Sequence, residues 1–308
     1  RFGPAWTGNY SLTERSNHMK TCISTYSFYR LIHSGAMNHF DVLDKIHEMG
    51  VPAAEFVLDD NPPDGSTPRD FCLRLTEHAR KLGLDVPIYT TGANFCCPDV
   101  EAEIRRVEKH IDIASEAGIP LLRHDIATGF YDGYQGIQTF EAILPTLAAA
   151  IREVADYAQK KGVTTCSENH GRLVQDSDRM LAVFSAVNHP NYRYLCDIGN
   201  FGGVDEDCAV AVSKLLPLIS HVHAKDSFVR SGMRPDPGRG WNLSRAGNYR
   251  RATIFGQGDQ PAYQCLKIIY NSGYRGYVSL EFEGMEDNME AITISMENLN
   301  RYLAQIMG

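Results

Sequence analysis

Glu168, Asp197, His223 and Glu281 are the residues of this chain best placed to do chemistry together. Each closes a short apolar run that a polar or glycine-bearing loop follows, in TTCSENHG, YLCDIGN, SHVHAKDS and YVSLEFEG. Such runs read as parallel strands buried on both faces, with their polar ends at an open rim. Ligands from four separated strands meet only if the strands stand in a ring. Three carboxylates and one imidazole make an oxygen-rich, fairly hard donor set. It favours one divalent ion, Mn²⁺ first, with Mg²⁺, Co²⁺ or Zn²⁺ as alternatives, and gives no sign of thiolate chemistry. An ion with open positions toward vicinal oxygens acidifies the proton beside a carbonyl. Glu168 and Glu281, on different strands, then suit proton removal on one face of a carbon and return on the other.

Other titratable residues gather at the same ends. Of the eleven histidines, His124, His170, His221 and His223 stand at predicted strand termini. In HVHAKD, His221, His223 and Lys225 are spaced i, i+2, i+4 and share one strand face. His223 is nearer the mouth and is the better ligand; His221 reads as a packed or supporting histidine. His170 follows Glu168 by two and reads as a catalytic proton shuttle or a hydroxyl partner, or else as a loop histidine outside the site. Glu55, Arg123, His124, Asn200 and Lys225 are candidate substrate-binding residues. Arg123 and His124 are adjacent, so only one of them faces inward. Lys225 and Asp226 read as substrate contacts or as a structural pair at the rim.

The elements that must position these residues alternate strand with helix. Predicted strands run over Thr21–Ser27, Ala54–Leu58, Val86–Tyr89, Leu121–Ile126, Val163–Ser167, Tyr192–Cys196, Ile219–Ala224 and Tyr277–Phe282. Predicted helices between and after them cover Phe40–Met49, Pro68–Leu82, the stretch from Pro98 to Gly118, Thr139–Lys161, Ser177–Val187, Glu206–Leu216, Ala262–Asn271 and Met289–Ile306. Gly50, Gly83, Gly118 and Gly162 mark helix ends, and Asp176 is a plausible helix cap. Eight such units predict an α/β fold, a (β/α)8 TIM barrel in one domain. An open doubly wound sheet is the alternative, but no Gly-x-Gly-x-x-Gly follows the first strand.

Residues 226–258 break this rhythm as a long rim insertion. Six arginines, at 230, 234, 239, 245, 250 and 251, face only two aspartates there. The segment reads as a lid or anion clamp, suggesting a phosphate or carboxylate on the substrate, or as a subunit contact or solvated flap.

The chain has 308 residues, 43% of them apolar and 22% charged, and a formal net charge of −8. That is an ordinary globular composition whose sign opposes a nucleic-acid surface. No run of about 18 apolar residues is long enough to span a membrane. The eight cysteines form no C-x-x-C pair and read as reduced thiols of a cytoplasmic protein. Residues 1–18 lack periodicity and read as an expression leader or N-terminal extension, with residues 19–308 as the barrel.

With ENHG, DIGN, HVHAKD and LEFEG in this order, and FGQGD ahead of the last βα unit, the chain from Met19 onward resembles the xylose-isomerase-like TIM barrels of the sugar phosphate isomerase/epimerase superfamily. This group includes ketose 3-epimerases, hydroxypyruvate isomerase, inosose dehydratase and endonuclease IV. The resemblance implies one divalent metal on Glu168, Asp197, His223 and Glu281, the two glutamates as the epimerases' acid/base pair, and a small-molecule carbohydrate substrate. Barrels of this group often pair, so a homo-oligomer fits. Asn200 stands where ketose 3-epimerases usually carry a substrate-binding histidine. Tyr89-Thr90-Thr91 offers no histidine for a three-zinc cluster, so DNA repair is not expected. The expected activity is a metal-dependent isomerase or epimerase of a sugar, sugar phosphate or polyol. The rivals are a lyase on the same site, either a dehydratase or a 3-keto-glycoside eliminase, and a non-catalytic sugar-binding or assembly barrel.

Overall fold

The computed structural model describes residues 18–308; the expected leader falls outside this range except for His18. The strands are β1 (Lys20–Ser24), β2 (Ala54–Val57), β3 (Tyr89–Thr91), β4 (Leu121–His124), β5 (Thr164–Glu168), β6 (Tyr192–Asp197), β7 (Ile219–Ala224), β8 (Asp226–Arg230), β9 (Asn242–Leu243), β10 (Tyr249–Thr253) and β11 (Tyr277–Leu280). The helices are α1 (Tyr29–His33), α2 (His39–Glu48), α3 (Pro68–Lys81), α4 (Val100–Ala117), α5 (Phe140–Lys160), α6 (Ser177–Val187), α7 (Cys208–Leu215), α8 (Ala262–Asn271) and α9 (Asn288–Met307). Eight strands close into a barrel in the order β1-β11-β7-β6-β5-β4-β3-β2. β11 lies parallel to β1, with Cys22 opposite Ser279. The expected (β/α)8 TIM barrel is therefore the fold.

The chain divides into two compact units, Glu55–Leu195 and the remainder, and both cuts fall inside strands, β2 and β6. Within the first unit, Ile88, Leu121, Cys166 and Leu195 form a buried apolar cluster. One step of the two-residue strand period further on come Thr90, Arg123 and Glu168. The polar candidates thus sit one level above an apolar layer on the same strand faces. In the other unit, Cys22, Ala53 and Tyr277 make a corresponding apolar cluster.

Local chemistry explains most boundaries. Thr67 caps α3 ahead of Pro68 at its first position, and Thr139 caps α5 through the N–H of Ala142. Asp176 caps α6 through the N–H of Arg179, as the sequence suggests. Gly118 ends α4 at φ 73°, where a Cβ would be strained. The third strand departs from expectation. It begins at Tyr89, because Pro87 has no N–H to give a ladder. β1 stops at Ser24, whose hydroxyl accepts the N–H of Tyr26 and starts a 3-10 turn. The seventh helix begins at Cys208, capped by Asp207.

Residues 226–258 are not a plain loop. β8, β10 and β9 form a three-stranded antiparallel sheet in the order β8-β10-β9. Its first strand follows β7 after one residue, Lys225.

Candidate metal and acid-base centre

In the unit containing the end of β6, β7 and β11, three carboxylates converge on one ammonium. Asp197 ends β6, and its Oδ1 accepts the N–H groups of Gly199 at 2.8 Å and Asn200 at 3.0 Å. The carboxylate thereby folds the DIGN turn and is held by it. Gly199 is required here, since a Cβ would lie 2.7 Å from the carbonyl oxygen of Lys225. Lys225 is buried, and its Nζ stands 2.7 Å from Glu281, 2.9 Å from Glu283 and 3.5 Å from Asp197. His223 Nδ1 is 3.6 Å from Glu281 Oε1. Burial works to raise the Glu281 carboxyl, but the charges of Lys225 and His223 prevail and hold it well below the usual carboxylate range. Burial, and then Glu283 and Glu281, push the Tyr26 phenol up to about 12, so it remains a proton donor.

Asp226 has a different task. It accepts backbone N–H groups from Ser227 at 2.8 Å, Gly258 at 2.9 Å, Gly256 at 3.0 Å and Gln260 at 3.3 Å. It ties the start of β8 to the FGQGD turn, and Gly258 lets it approach, because a Cβ there would lie 2.1 Å from its Oδ1. Burial raises its carboxyl in spite of these four donors.

In the unit Glu55–Leu195, one guanidinium organises the candidates. Arg123 Nη2 donates to Glu168 Oε2 at 2.7 Å and to Asp125 Oδ1 at 2.6 Å. Asp125 Oδ1 also lies 2.9 Å from His170 Nδ1. His170 is 47% exposed. Burial lowers its imidazole pKa, but the Asp125 hydrogen bond and the Glu168 charge outweigh this and raise it. Glu55 is buried on β2 and accepts from the Thr90 hydroxyl at 3.1 Å.

Of the adjacent pair at the end of β4, Arg123 turns to the carboxylates. His124 turns the other way, with its Nδ1 2.8 Å from the Asp125 carbonyl oxygen and its ring against Phe95 and Tyr192. Burial brings its pKa down from 6.5 to about 4. The structure thus places His124 among packed aromatics, apart from Arg123 and Glu168. Asn200 contributes its backbone N–H to the Asp197 turn. His221 packs edge-on to His223, with centroids 5.9 Å apart.

Within the unit that holds them, Asp197, His223 and Glu281 each offer one ligand atom, and these atoms lie within 4.8 Å of one another. Two carboxylates and an imidazole brought together in this way suit a hard to borderline divalent ion. Sequence reasoning passed over Asp125, Glu283 and Tyr26. Asp125 and Glu283 each sit two residues beyond a singled-out position, Arg123 and Glu281, and the strand period was the signal that pointed to them.

The family model for xylose isomerase-like TIM barrels matches residues 43–302. The chain belongs to that family. No curated protein matches it by sequence. Solved members of this fold are similar over nearly the whole chain. A xylose isomerase domain protein from Planctomyces limnophilus superposes with a TM-score of 0.68 at 17% identity, covering 94% of this chain and 97% of that one. An L-ribulose 3-epimerase gives 0.70 at 16%, covering 94% and 95%. The probable 3-DHS dehydratase AsbF of petrobactin synthesis from Bacillus anthracis gives 0.69 at 16%, covering 92% and 99%. At these identities the likeness establishes the xylose isomerase-like fold, while the reaction must be argued from the site.

Proposed function

We propose that this barrel is a divalent-metal-dependent isomerase or epimerase acting on a sugar, sugar phosphate or polyol. The observation that carries the reading is the donor quartet with two glutamates, each gripped by its own cation. Arg123 holds Glu168 at 2.7 Å and Lys225 holds Glu281 at 2.7 Å. Glu168, Asp197, His223 and Glu281 would hold the ion, with Mn²⁺ as the first choice over Mg²⁺, Co²⁺ or Zn²⁺. Bound there, the ion supplies Lewis acidity toward a substrate carbonyl and so acidifies the neighbouring C–H.

The chain's own residues do the rest. Glu168 takes the proton on one of its carboxylate oxygens, while Arg123 fixes the carboxylate against rotation. Glu281 is the second carboxylate of the pair and relays to the substrate a proton that the Lys225 ammonium, 2.7 Å away, gives up to it. Ionised by Lys225 and His223, it also serves as a ligand. Asn200 and Lys225, close in sequence to Asp197 and His223, and Glu55, on β2, are the proposed contacts for substrate hydroxyls. Deprotonation and reprotonation at one carbon give epimerisation; return to the adjacent carbon gives isomerisation. The epimerase likeness in fold supports this reading.

The His170–Asp125 pair favours a second reading, a lyase on the same site. A half-exposed imidazole backed by a carboxylate is suited to protonating a β-leaving group after the α-proton is removed.

Elemental analysis of the purified protein beside Asp197→Ala is the first test. About one divalent ion per chain, lost in the variant, is the expected result. No ion in either protein after incubation with Mn²⁺ would sink the metal reading and leave a sugar-binding or assembly barrel. Incubation of sugars with the loaded protein in D₂O, followed by NMR, separates the reactions. Deuterium at a carbinol carbon of an unchanged skeleton means isomerisation or epimerisation; loss of water or an aglycone means elimination.

A further inference from the structure

The arginines of residues 226–258 do not act alike. Phe228 and Arg230 are two apart on β8 and share a face, and Arg251 on β10 pairs directly across from Phe228. With Arg234, Pro235, Pro237 and Trp241, these three residues line a cavity of about 530 Å³. That volume lies within the range of small-molecule sites. Arg250 points elsewhere, donating its Nε to the Ser227 hydroxyl at 2.8 Å.

Two guanidiniums lie over the Trp241 ring, Arg230 at 5.3 Å and Arg251 at 5.4 Å from its centroid. Arg251 also lies 5.3 Å from the Phe228 centroid. No carboxylate forms an ion pair with Arg230, Arg234 or Arg251 among the described residues. This stands out in a chain with 38 acidic residues against 30 basic ones. The Arg251 Nε is buried and has no hydrogen-bond partner. Three cations around one cavity repel one another, and a donor without an acceptor carries a desolvation cost. A bound anion relieves both. Guanidinium forks match phosphate and carboxylate oxygens, and the aromatic and proline walls accept an apolar or planar body.

We propose that this face of the three-stranded sheet binds an organic anion, a phosphate or carboxylate borne on a planar or apolar body, at a site separate from the donor quartet. The site does not depend on the proposed reaction. Arg230 and Arg234 reach the anion from the exposed side, Arg251 from within, and Trp241 forms the wall.

Trp241 is the natural reporter. The chain has two tryptophans, and Trp6→Phe leaves Trp241 alone. The full-length, metal-loaded Trp6→Phe protein is titrated with inorganic phosphate, phenyl phosphate and phenol, reading tryptophan emission. Saturable quenching by both phosphates is expected, with phenyl phosphate binding about tenfold or more tighter than inorganic phosphate, and phenol not binding. Adding Arg234→Ala, and then Arg230→Ala, should weaken phenyl phosphate by about tenfold or more, with unchanged circular dichroism. Adding Asp197→Ala to the Trp6→Phe protein should leave phenyl phosphate binding as it was. The proposal is overturned if neither phosphate saturates below about 10 mM. It also fails if the arginine variants bind as the parent does, in which case the guanidiniums only stack on Trp241 to stiffen the sheet. Binding lost in Asp197→Ala would assign the anion to the quartet. Equal binding of the two phosphates would remove the organic body from the site.

Discussion

Glu168 is the side chain on which the proposed reaction turns, because it is both a proposed metal donor and the carboxylate gripped by Arg123. Glu168→Gln keeps the shape and removes the base. Proton exchange into substrate, followed by NMR in D₂O, should fall by about a thousandfold or more, with the thermal midpoint nearly unchanged. Activity near the parent level would reject the assignment. His124 offers a test of packing, not of catalysis. Burial takes its pKa from 6.5 to about 4, so the folded protein keeps it neutral over a range where the unfolded chain binds a proton. Its contribution is complete above about pH 6.5, is lost as the pH falls towards 4, and amounts to about 3 kcal/mol in all. Denaturant melts between pH 4 and 7.5 should show stability rising with pH across that window. His124→Asn, which can still donate to the Asp125 carbonyl, should flatten the rise whatever its absolute stability. An unchanged slope would mean that other groups govern acid unfolding.

The turns after β6 and β7 do for the candidate site what the strands alone cannot. DIGN is folded onto the Asp197 carboxylate, and Gly199 allows the turn to lie against the backbone of Lys225. Gly199→Ala forces that contact apart. We expect a loss of about 1–3 kcal/mol in stability and a weakened hold on Mn²⁺, read by chemical melts and elemental analysis. A variant as stable and as metal-rich as the parent would show the approach to be loose. Asp226 anchors the small sheet through four backbone N–H groups. Asp226→Ala leaves those donors in part-buried surroundings. The sheet from β8 to β10 should then exchange its amide hydrogens markedly faster than α3 or α5 does. Uniform protection would argue that the cation stacking on Trp241 holds the sheet without it.

At the largest scale, an apolar layer lies one strand step below Arg123 and Glu168. Leu121, with Ile88, Cys166 and Leu195, is buried under the level of Arg123 and Glu168. Leu121→Ala should cost about 2–5 kcal/mol in unfolding free energy. If the layer also positions Arg123, proton exchange should fall in the same variant more than Glu168's own chemistry explains. An intact exchange rate beside the lost stability would separate scaffold from site. Whole-chain charge gives a milder constraint: at −8 the protein has no general attraction for anions, so anion binding must come from a local arrangement such as that around Trp241.

Strand and helix alternation was legible because its signals are local. Apolar runs, caps such as Asp176 and stops such as Gly118 act within a few residues, and they led to the barrel with most elements close to their observed places. The candidate donors were legible for the same reason, as acidic and histidine side chains at the ends of such runs. What adjacency in sequence left open was settled by neighbours in space. Arg123 and His124 had equal claims, and the strand pleat gave the inward place to the guanidinium that Asp125 and Glu168 hold. Asp226 read as a substrate contact or as the partner of Lys225 at the rim, and the fold instead brings it three backbone N–H groups, from Gly256, Gly258 and Gln260, thirty or more residues away. The small sheet was missed because β9 is two residues long and carries no period to detect. Six arginines looked equivalent along the chain. Antiparallel pairing divides them, since opposite faces of a strand see different surroundings, and it gathers Arg230 and Arg251 around one tryptophan while Arg250 turns to Ser227.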